Sequence, residues 1–224
     1  QVQFGRLANF AILDSRQYRT DQPCGDGNKP PCPAVYDPKA TLLGDVQEKW
    51  LYQSLETSTA AWNVLTQQVM MGLVDRQPGE VKAYSMDQWP GYEANRQRVL
   101  KFFAEHPKLN PVVLTGDIHS NWVNNLQVNS EDEKSPVVGT EFVGTSISSG
   151  GDGVLQTKDT PALLSENPFV KFFSAERGYV SCEVTPATWT SKYQAVPFVT
   201  KPDAPLITRK KFVVEHGRPG AIES

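Results

Sequence analysis

The nine residues PVVLTGDIH, at positions 111–119, decide the fold of this chain. The first five are apolar on both faces, which is typical of a central strand covered on both sides in an α/β protein. Gly116 permits a tight turn where the strand ends. Asp117 and His119 stand two residues apart, and in extended backbone their side chains would project to the same side. The segment therefore predicts a buried strand that ends in a carboxylate and an imidazole.

Asp117 and His119 are candidate metal ligands. A carboxylate oxygen suits a hard divalent ion and an imidazole suits iron or zinc, so the pair is typical of half of a dinuclear metal site. Ser120 and Asn121 follow directly and could orient these ligands or contact a substrate oxyanion. The alternative is that His119 is an ordinary loop histidine and Asp117 caps a turn.

Strands and helices alternate before this segment, and strands dominate after it. The predicted elements before it are a strand at 10–13, a helix at 45–58 with Asp45 as N-cap, a strand at 62–66 and a helix at 92–106. The apolar stripes of the helices are Val46, Trp50, Leu51 and Leu55 in the first and Val99, Phe102 and Phe103 in the second. Further strands are predicted at 142–147, 178–184, 189–196 and 211–214.

A second polar cluster follows the strand at 10–13 and contains Asp14, Arg16 and Arg19. Arginine binds phosphate oxygens through two N–H groups at once, so the cluster is a candidate phosphate clamp. The alternative is an ion pair between Asp14 and an arginine that fixes the loop. The glycine-rich loop at 148–153 can bring backbone N–H groups to an anion, but it lacks the Lys and the following helix of a nucleotide-binding P-loop.

Asp87 precedes the helix at 92–106 and has Trp89 and Tyr92 close by in sequence. This segment either lines the mouth of a substrate site or caps and staples the helix. If the three aromatics Trp89, Tyr92 and Trp122 lie near the mouth, they would favour a lipid or another bulky diester.

Composition excludes several classes of protein. Lys and Arg number 22 against 25 Asp and Glu, for a net charge of −3, so there is no basic platform for nucleic acid. The apolar runs are far shorter than the roughly 20 residues that a membrane helix needs. Cys24 and Cys32 close a short turn-rich loop, which indicates a local disulfide in an oxidising compartment or, alternatively, a zinc pair.

The chain is identified as a member of the alkaline phosphatase D family, which includes the iron-dependent bacterial phospholipase D type. The resemblance runs from about residue 10 to residue 219. It rests on the segments FAILDSRQYRTDQPC at 10–24, WNVLTQQVM at 62–70, the Asp87–Tyr92 cluster, TGDIHSNW at 115–122 and GTSISSGG at 144–151.

This resemblance implies a metallophosphoesterase-like four-layer α-β-β-α sandwich of the α/β class. It implies hydrolysis of phosphate monoesters or diesters by a metal-activated hydroxide, with Fe3+ and one or two divalent ions, probably Ca2+. His119 would bind the iron and Asp117 the neighbouring divalent ion. Asp14 and Arg16 match a family motif and are the candidate catalytic residues. A Cys24–Cys32 disulfide and twin-arginine export, giving a secreted or periplasmic protein, are also family expectations.

The other metal ligands of the family lie in an N-terminal half that these residues do not include. Residues 1–224 are therefore expected to be the C-terminal portion of a single metallophosphoesterase domain, which functions only when it is docked on the N-terminal fragment of the same enzyme. The expected substrate is a phosphate ester. The alternatives are a phospholipase D that hydrolyses phospholipids such as phosphatidylcholine and a non-catalytic β-rich binding fragment.

Overall fold

A computed structural model describes all 224 residues, and it has the mixed α/β architecture that the sequence predicts. The strands are β1 (Val2–Phe4), β2 (Ala8–Ile12), β3 (Asn28–Lys29), β4 (Trp62–Thr66), β5 (Tyr84–Ser85), β6 (Pro111–Thr115), β7 (Asn121–Gln127), β8 (Val137–Val143), β9 (Val170–Ser174), β10 (Arg177–Val184), β11 (Thr188–Val196), β12 (Ile207–Glu215) and β13 (Arg218–Glu223). The α-helices are α1 (Asp45–Glu56), α2 (Glu93–Glu105) and α3 (Thr160–Glu166).

The larger sheet has seven strands in the order β1-β2-β4-β6-β8-β7-β9. Its centre is parallel, because β2, β4, β6 and β8 pair parallel with one another, while β1, β7 and β9 pair antiparallel. The prediction that β6 is a central strand is confirmed. The carboxyl ends of the four parallel strands share one edge of the sheet, which is where ligand sites form in open α/β sheets.

Helices α1 and α2 cover one face of this sheet. Leu51 and Leu55 of α1 and Val99 and Phe103 of α2 are buried in a core of 19 residues. Val46, predicted as part of the α1 stripe, is 85% exposed, so that prediction is wrong. The N-cap of α1 is Gly44 rather than Asp45. Asp45 lies in the first turn, where its charge still complements the helix dipole.

The second sheet has four antiparallel strands, β10 to β13, and packs against the other face of the larger sheet. Trp189, Tyr193 and Phe212 from the second sheet meet Trp62 and Phe142 in a core of 12 buried residues. The hydroxyl of Tyr193 also donates to the carbonyl oxygen of Trp122 in β7 at 2.5 Å. The chain therefore contributes a helical layer and two sheets in succession.

Two further sequence predictions are decided by the fold. Cys24 and Cys32 form a disulfide, which confirms that interpretation over a zinc pair, and Cys182 is free. The strand predicted at 142–147 ends at Val143, because the chain there turns into the glycine-rich loop. The sequence patterns do not predict β1, β3, β5, β7, β9, β13 or α3.

Candidate active site

The turn after β6 carries both candidate metal ligands. Asp117 has a φ of 69° and His119 a φ of 56°, so neither is extended and the predicted same-side projection from a strand is wrong. The N–H of Ile118 donates to the carbonyl of Gly116 at 2.8 Å and closes the turn. Left-handed backbone costs a non-glycine residue about 1 kcal/mol and is concentrated at functional sites. Asp117 and His119 are both exposed at the sheet edge.

Asp117 contacts Arg16, one of the candidate phosphate-binding residues. Arg16 Nη2 lies 3.2 Å from Asp117 Oδ1, and Arg16 Nη1 lies 2.7 and 2.9 Å from the two oxygens of Asp87. Arg19 Nη1 is 2.7 Å from the same Asp87 Oδ1. The pKa of Arg16 is raised, chiefly by the hydrogen bond to Asp87 and further by Asp117. Three segments that are distant in sequence thus meet in one network of opposite charges.

Asp87 is the shared anchor of the two arginines. Partial burial acts to raise the pKa of the Asp87 carboxyl, but the hydrogen bonds from Arg16 and Arg19 outweigh it and the pKa is lowered. Asp87 therefore stays ionised and holds both guanidinium groups, of which that of Arg16 also contacts Asp117. This segment was expected either to line a substrate mouth or to cap the helix. Its main contact is instead the pairing of Asp87 with the two arginines.

Asp14 shapes the turn that presents Arg16. Its Oδ1 accepts the backbone N–H groups of Gln17 and Arg16, each at 2.9 Å, and these two hydrogen bonds lower the pKa of the Asp14 carboxyl. Gln47 fixes the backbone of Asp14 through bonds of 2.8 and 2.9 Å. Asp14 pairs with neither arginine, so the alternative of an Asp14–Arg ion pair is wrong.

A buried carboxylate that the sequence analysis missed lies beneath the site. Glu141 Oε1 accepts from the N–H of Met71 and the hydroxyl of Thr115, at 2.7 and 2.8 Å. Its Oε2 accepts from the N–H of Gly72 and the amide of Asn124, at 2.9 and 2.8 Å. Burial raises the pKa of Glu141, and these donors oppose the shift. The sequence feature that could have indicated this buried carboxylate is a single Glu within the apolar run VVGTEFV.

The remaining predicted site residues point elsewhere. Ser120 and Asn121 are buried, so neither is placed to contact a substrate. Ser120 Oγ lies 3.4 Å from the carbonyl oxygen of Ile118 and Asn121 donates to the carbonyl of Glu176 at 3.2 Å, and the expectation that they orient the ligands stays a prediction. Trp89, Tyr92 and Trp122 are at most 1% exposed, which corrects the prediction that they lie near a substrate mouth. Each has a polar partner in the interior, for example Gln67 for the Trp89 indole N–H.

The other two histidines make contacts away from the sheet edge. His106 Nδ1 lies 2.8 Å from the carbonyl oxygen of Phe102 at the end of α2. His216 Nε2 lies 2.9 Å from the amide of Asn110.

The residues at the sheet edge fit part of a metal centre. Asp117 and His119 supply the carboxylate and imidazole that divalent and ferric ions accept. No group of three or more His, Cys, Asp or Glu side chains converges in this chain. Two donors fall short of the four or more that such ions take, so the donor set is suitable in chemistry and incomplete in number.

A groove borders the turn at 14–19. It has a volume of about 750 Å³, and Tyr18, Val46, Gln47 and Trp50 are among its lining residues. Gln47 also holds Asp14, so the groove begins next to the arginine cluster.

At the carboxyl edge of the parallel strands, a carboxylate contacts an arginine and a histidine follows two residues later. Open α/β sheets bind ligands at this edge and arginine binds phosphate oxygens, so the arrangement suits an enzyme that acts on phosphate groups. The chain belongs to the PhoD-like phosphatase family, whose family model matches residues 1–193. It is 48% identical over 217 residues to alkaline phosphatase D of Bacillus subtilis (strain 168), covering 97% of this chain and 37% of that protein.

The solved structure of PhoD matches with a TM-score of 0.95 and 47% identity, over 99% of this chain and 42% of that chain. These residues therefore span well under half the length of the relatives they match. The family and the α/β fold expected from the sequence motifs are confirmed. None of the helices combines the length and apolar character needed to cross a lipid bilayer.

Proposed function

We propose that this chain is part of a metal-dependent phosphoric ester hydrolase, an alkaline phosphatase or phosphodiesterase. The observation that carries the proposal is the 3.2 Å contact between Arg16 Nη2 and Asp117 Oδ1. A guanidinium is a group suited to binding phosphate, and here it lies beside a carboxylate of the kind that binds divalent metal ions, which supports the proposal. Membership of the PhoD-like phosphatase family supports it.

Asp117 would hold a divalent ion, with Ca2+ the expected choice, and His119 would hold Fe3+. The remaining ligands would come from polypeptide outside these residues, since the chain spans 37% of its Bacillus subtilis relative and gathers only two donors. Activity would then require the N-terminal region of the same enzyme. When bound, such ions withdraw charge from phosphate oxygens and lower the pKa of the attacking water.

The residues of this chain would bind and orient the ester. Arg16 would donate N–H groups to a non-bridging phosphate oxygen and stabilise the charge that develops in the transition state. Asp14, through the turn it caps, and Asp87, through its ion pair, would keep Arg16 in place. Arg19, which shares Asp87, adds a second positive charge on the same side.

Phospholipase D activity is the second candidate. The groove beside residues 14–19 favours it, because Tyr18 and Val46 offer exposed apolar surface to a bulky diester. A non-catalytic β-rich binding fragment is less well supported, since both Asp117 and His119 are exposed at the edge where a ligand would bind. A secreted or periplasmic location, with twin-arginine export, agrees with the Cys24–Cys32 disulfide.

The test uses the full-length enzyme, in which this chain is joined to the region that its relatives have in addition. We expect His119→Ala to lose iron, measured by elemental analysis of purified protein, and to lose hydrolysis of p-nitrophenyl phosphate. His106→Ala, which changes a histidine at the end of α2, is the matched control and should keep both. Full iron content and turnover in His119→Ala would contradict the proposal.

Comparing p-nitrophenyl phosphate with bis-p-nitrophenyl phosphate and phosphatidylcholine distinguishes the two candidate activities. Preferred turnover of phosphatidylcholine would favour the phospholipase over the phosphatase. Substituting Val46→Asp in the groove should then depress turnover of the lipid more than turnover of the soluble monoester.

A further inference from the structure

We propose that Arg177 is a positioning residue that holds the His119 turn against the glycine-rich loop. This inference rests on the proposed role of His119 as a metal ligand. Arg177 begins β10, in the second sheet, and the sequence analysis did not single it out. It would act through the backbone of His119 and would not touch substrate or metal.

The guanidinium of Arg177 joins three segments of backbone. Nη1 donates to the carbonyl oxygens of His119, at 2.9 Å, and Ala175, at 3.0 Å. Nε donates to the carbonyl oxygen of Gly151 at 2.9 Å, and Nη2 lies 3.4 Å from that of Gly150. The fork therefore ties the turn after β6 to the loop after β8 and to the turn between β9 and β10.

Arg177 has no carboxylate partner although it is only 8% exposed. Its neighbour Glu176 pairs instead with Arg209, at 2.5 Å. A buried charge is costly unless its hydrogen-bonding groups are satisfied, and here only carbonyl dipoles satisfy them. A planar guanidinium can reach several carbonyls at once, whereas a lysine ammonium is a point charge on a flexible stem. The site thus needs arginine specifically.

The two loops that Arg177 joins both have unusual backbone. His119 has a φ of 56°, and Gly150 and Gly151 have φ values of 86° and 70°. A Cβ added at Gly150 would come within 2.9 Å of Arg177 Nη2. The left-handed backbone favours glycine at this position, and a side chain there would displace the Arg177 guanidinium. Arg177 fixes the carbonyl of His119 and so restricts where the imidazole of that residue can lie.

The expected consequence is on metal affinity. Partners that orient a metal ligand typically change metal affinity by about 10- to 100-fold when they are removed. In the full-length enzyme, we expect Arg177→Lys to bind iron about 10- to 100-fold more weakly, measured by competition with a chelator of known affinity. The kcat should fall at limiting iron and recover with excess iron, while KM for p-nitrophenyl phosphate changes little. Recovery with added metal separates positioning from a general loss of folded protein.

Arg96→Lys is the matched control. Arg96 is also buried, and its Nε donates to the carbonyl oxygen of Met71 at 2.7 Å, but it lies on α2 and makes no contact with the His119 turn. It should lower the melting temperature without changing iron affinity in the folded protein. Gly150→Ala is a second variant. Its new methyl group would displace the Arg177 guanidinium, and it should also weaken iron binding.

Iron affinity and kcat equal to wild type in both Arg177→Lys and Gly150→Ala would overturn the inference, provided that His119→Ala loses iron. If His119→Ala keeps its iron, the proposed function itself is wrong. Loss of iron affinity in Arg96→Lys to the same degree as in Arg177→Lys would also overturn it, because the effect would then follow from lost stability.

Discussion

Asp87 and Glu141 are two carboxylates of this fold whose hydrogen-bond partners differ: those of Asp87 are charged and those of Glu141 are uncharged. The Asp87 side chain is 30% exposed and meets two guanidinium groups, and its pKa is lowered. Glu141 is fully buried and accepts four hydrogen bonds from uncharged donors, and burial raises its pKa. Both lie close to the turn after β6, Asp87 through Arg16 and Glu141 through Thr115.

On the proposed function, the difference separates residues that would contact a ligand from residues that support the site. Asp87 holds arginines that retain free N–H groups and remain accessible to an anion. Both carboxylate oxygens of Glu141 are already occupied, because they accept four hydrogen bonds from the 71–72 backbone, Thr115 and Asn124. Changes at Asp87 should therefore act mainly on catalysis, and changes at Glu141 on stability.

Replacing Glu141 should have the largest effect. We expect Glu141→Gln to lower the free energy of unfolding by about 3 kcal/mol, because the new amide nitrogen would face donors and leave buried N–H groups without an acceptor. Urea unfolding followed by circular dichroism measures this.

Glu133→Gln is the control for that variant, since Glu133 is exposed and the charge change is the same. It should shift the free energy of unfolding by less than about 0.5 kcal/mol. Equal unfolding curves for Glu141→Gln and wild type would show that the buried carboxylate is dispensable.

Replacing Asp87 should have an intermediate effect, on catalysis. In the full-length enzyme we expect Asp87→Asn to lower kcat/KM for p-nitrophenyl phosphate about tenfold, because Arg16 and Arg19 lose a charge-assisted anchor. Glu131→Gln, which breaks an exposed ion pair of 2.6 Å with Lys82, is the matched control and should leave kcat/KM unchanged. Equal kcat/KM in the two variants would mean that Asp87 does not place the arginines.

The smallest effect should be the dependence of stability on pH at Asp87. Its folded pKa lies below the ordinary value of 3.8, so its pairing stabilises the folded chain above that value and is lost as pH falls through the lowered pKa. We expect the free energy of unfolding of wild type to exceed that of Asp87→Asn by less than about 1 kcal/mol at neutral pH.

That difference should vanish in strong acid. Urea unfolding of both proteins at a series of pH values from neutral to strongly acidic measures it. If the difference in free energy of unfolding grew as the pH fell, its sign would be opposite to that expected, and the lowered pKa of Asp87 would be contradicted.

The central strand, the two helices and the family could be predicted from sequence because each rests on a local pattern. The segment 111–119 contains its own strand and turn, and α2 carries Val99 and Phe103 at helical spacing. The contact of Arg16 with Asp117 could not be predicted, because it depends on how β2 and β6 are placed in the sheet. The burial of Trp89 and Tyr92 could not be predicted either, because the sequence alone does not show which side of a connecting segment faces the interior.

Arg177 was missed for a different reason. Its partners are backbone carbonyls, which every residue has, so no side-chain pattern marks the contact. The left-handed conformation of Asp117 and His119 likewise depends on the contacts that surround the turn.

The sequence separations in the arginine cluster have a kinetic consequence. Arg16 meets Asp87 across 71 residues and Asp117 across 101, and β2, β4 and β6 pair in parallel. Non-local parallel pairing makes folding slow, because chain entropy is lost before the contacts form. The arginine cluster is therefore assembled only when the sheet has formed, so on the proposed function the site for a phosphate ester is a late product of folding.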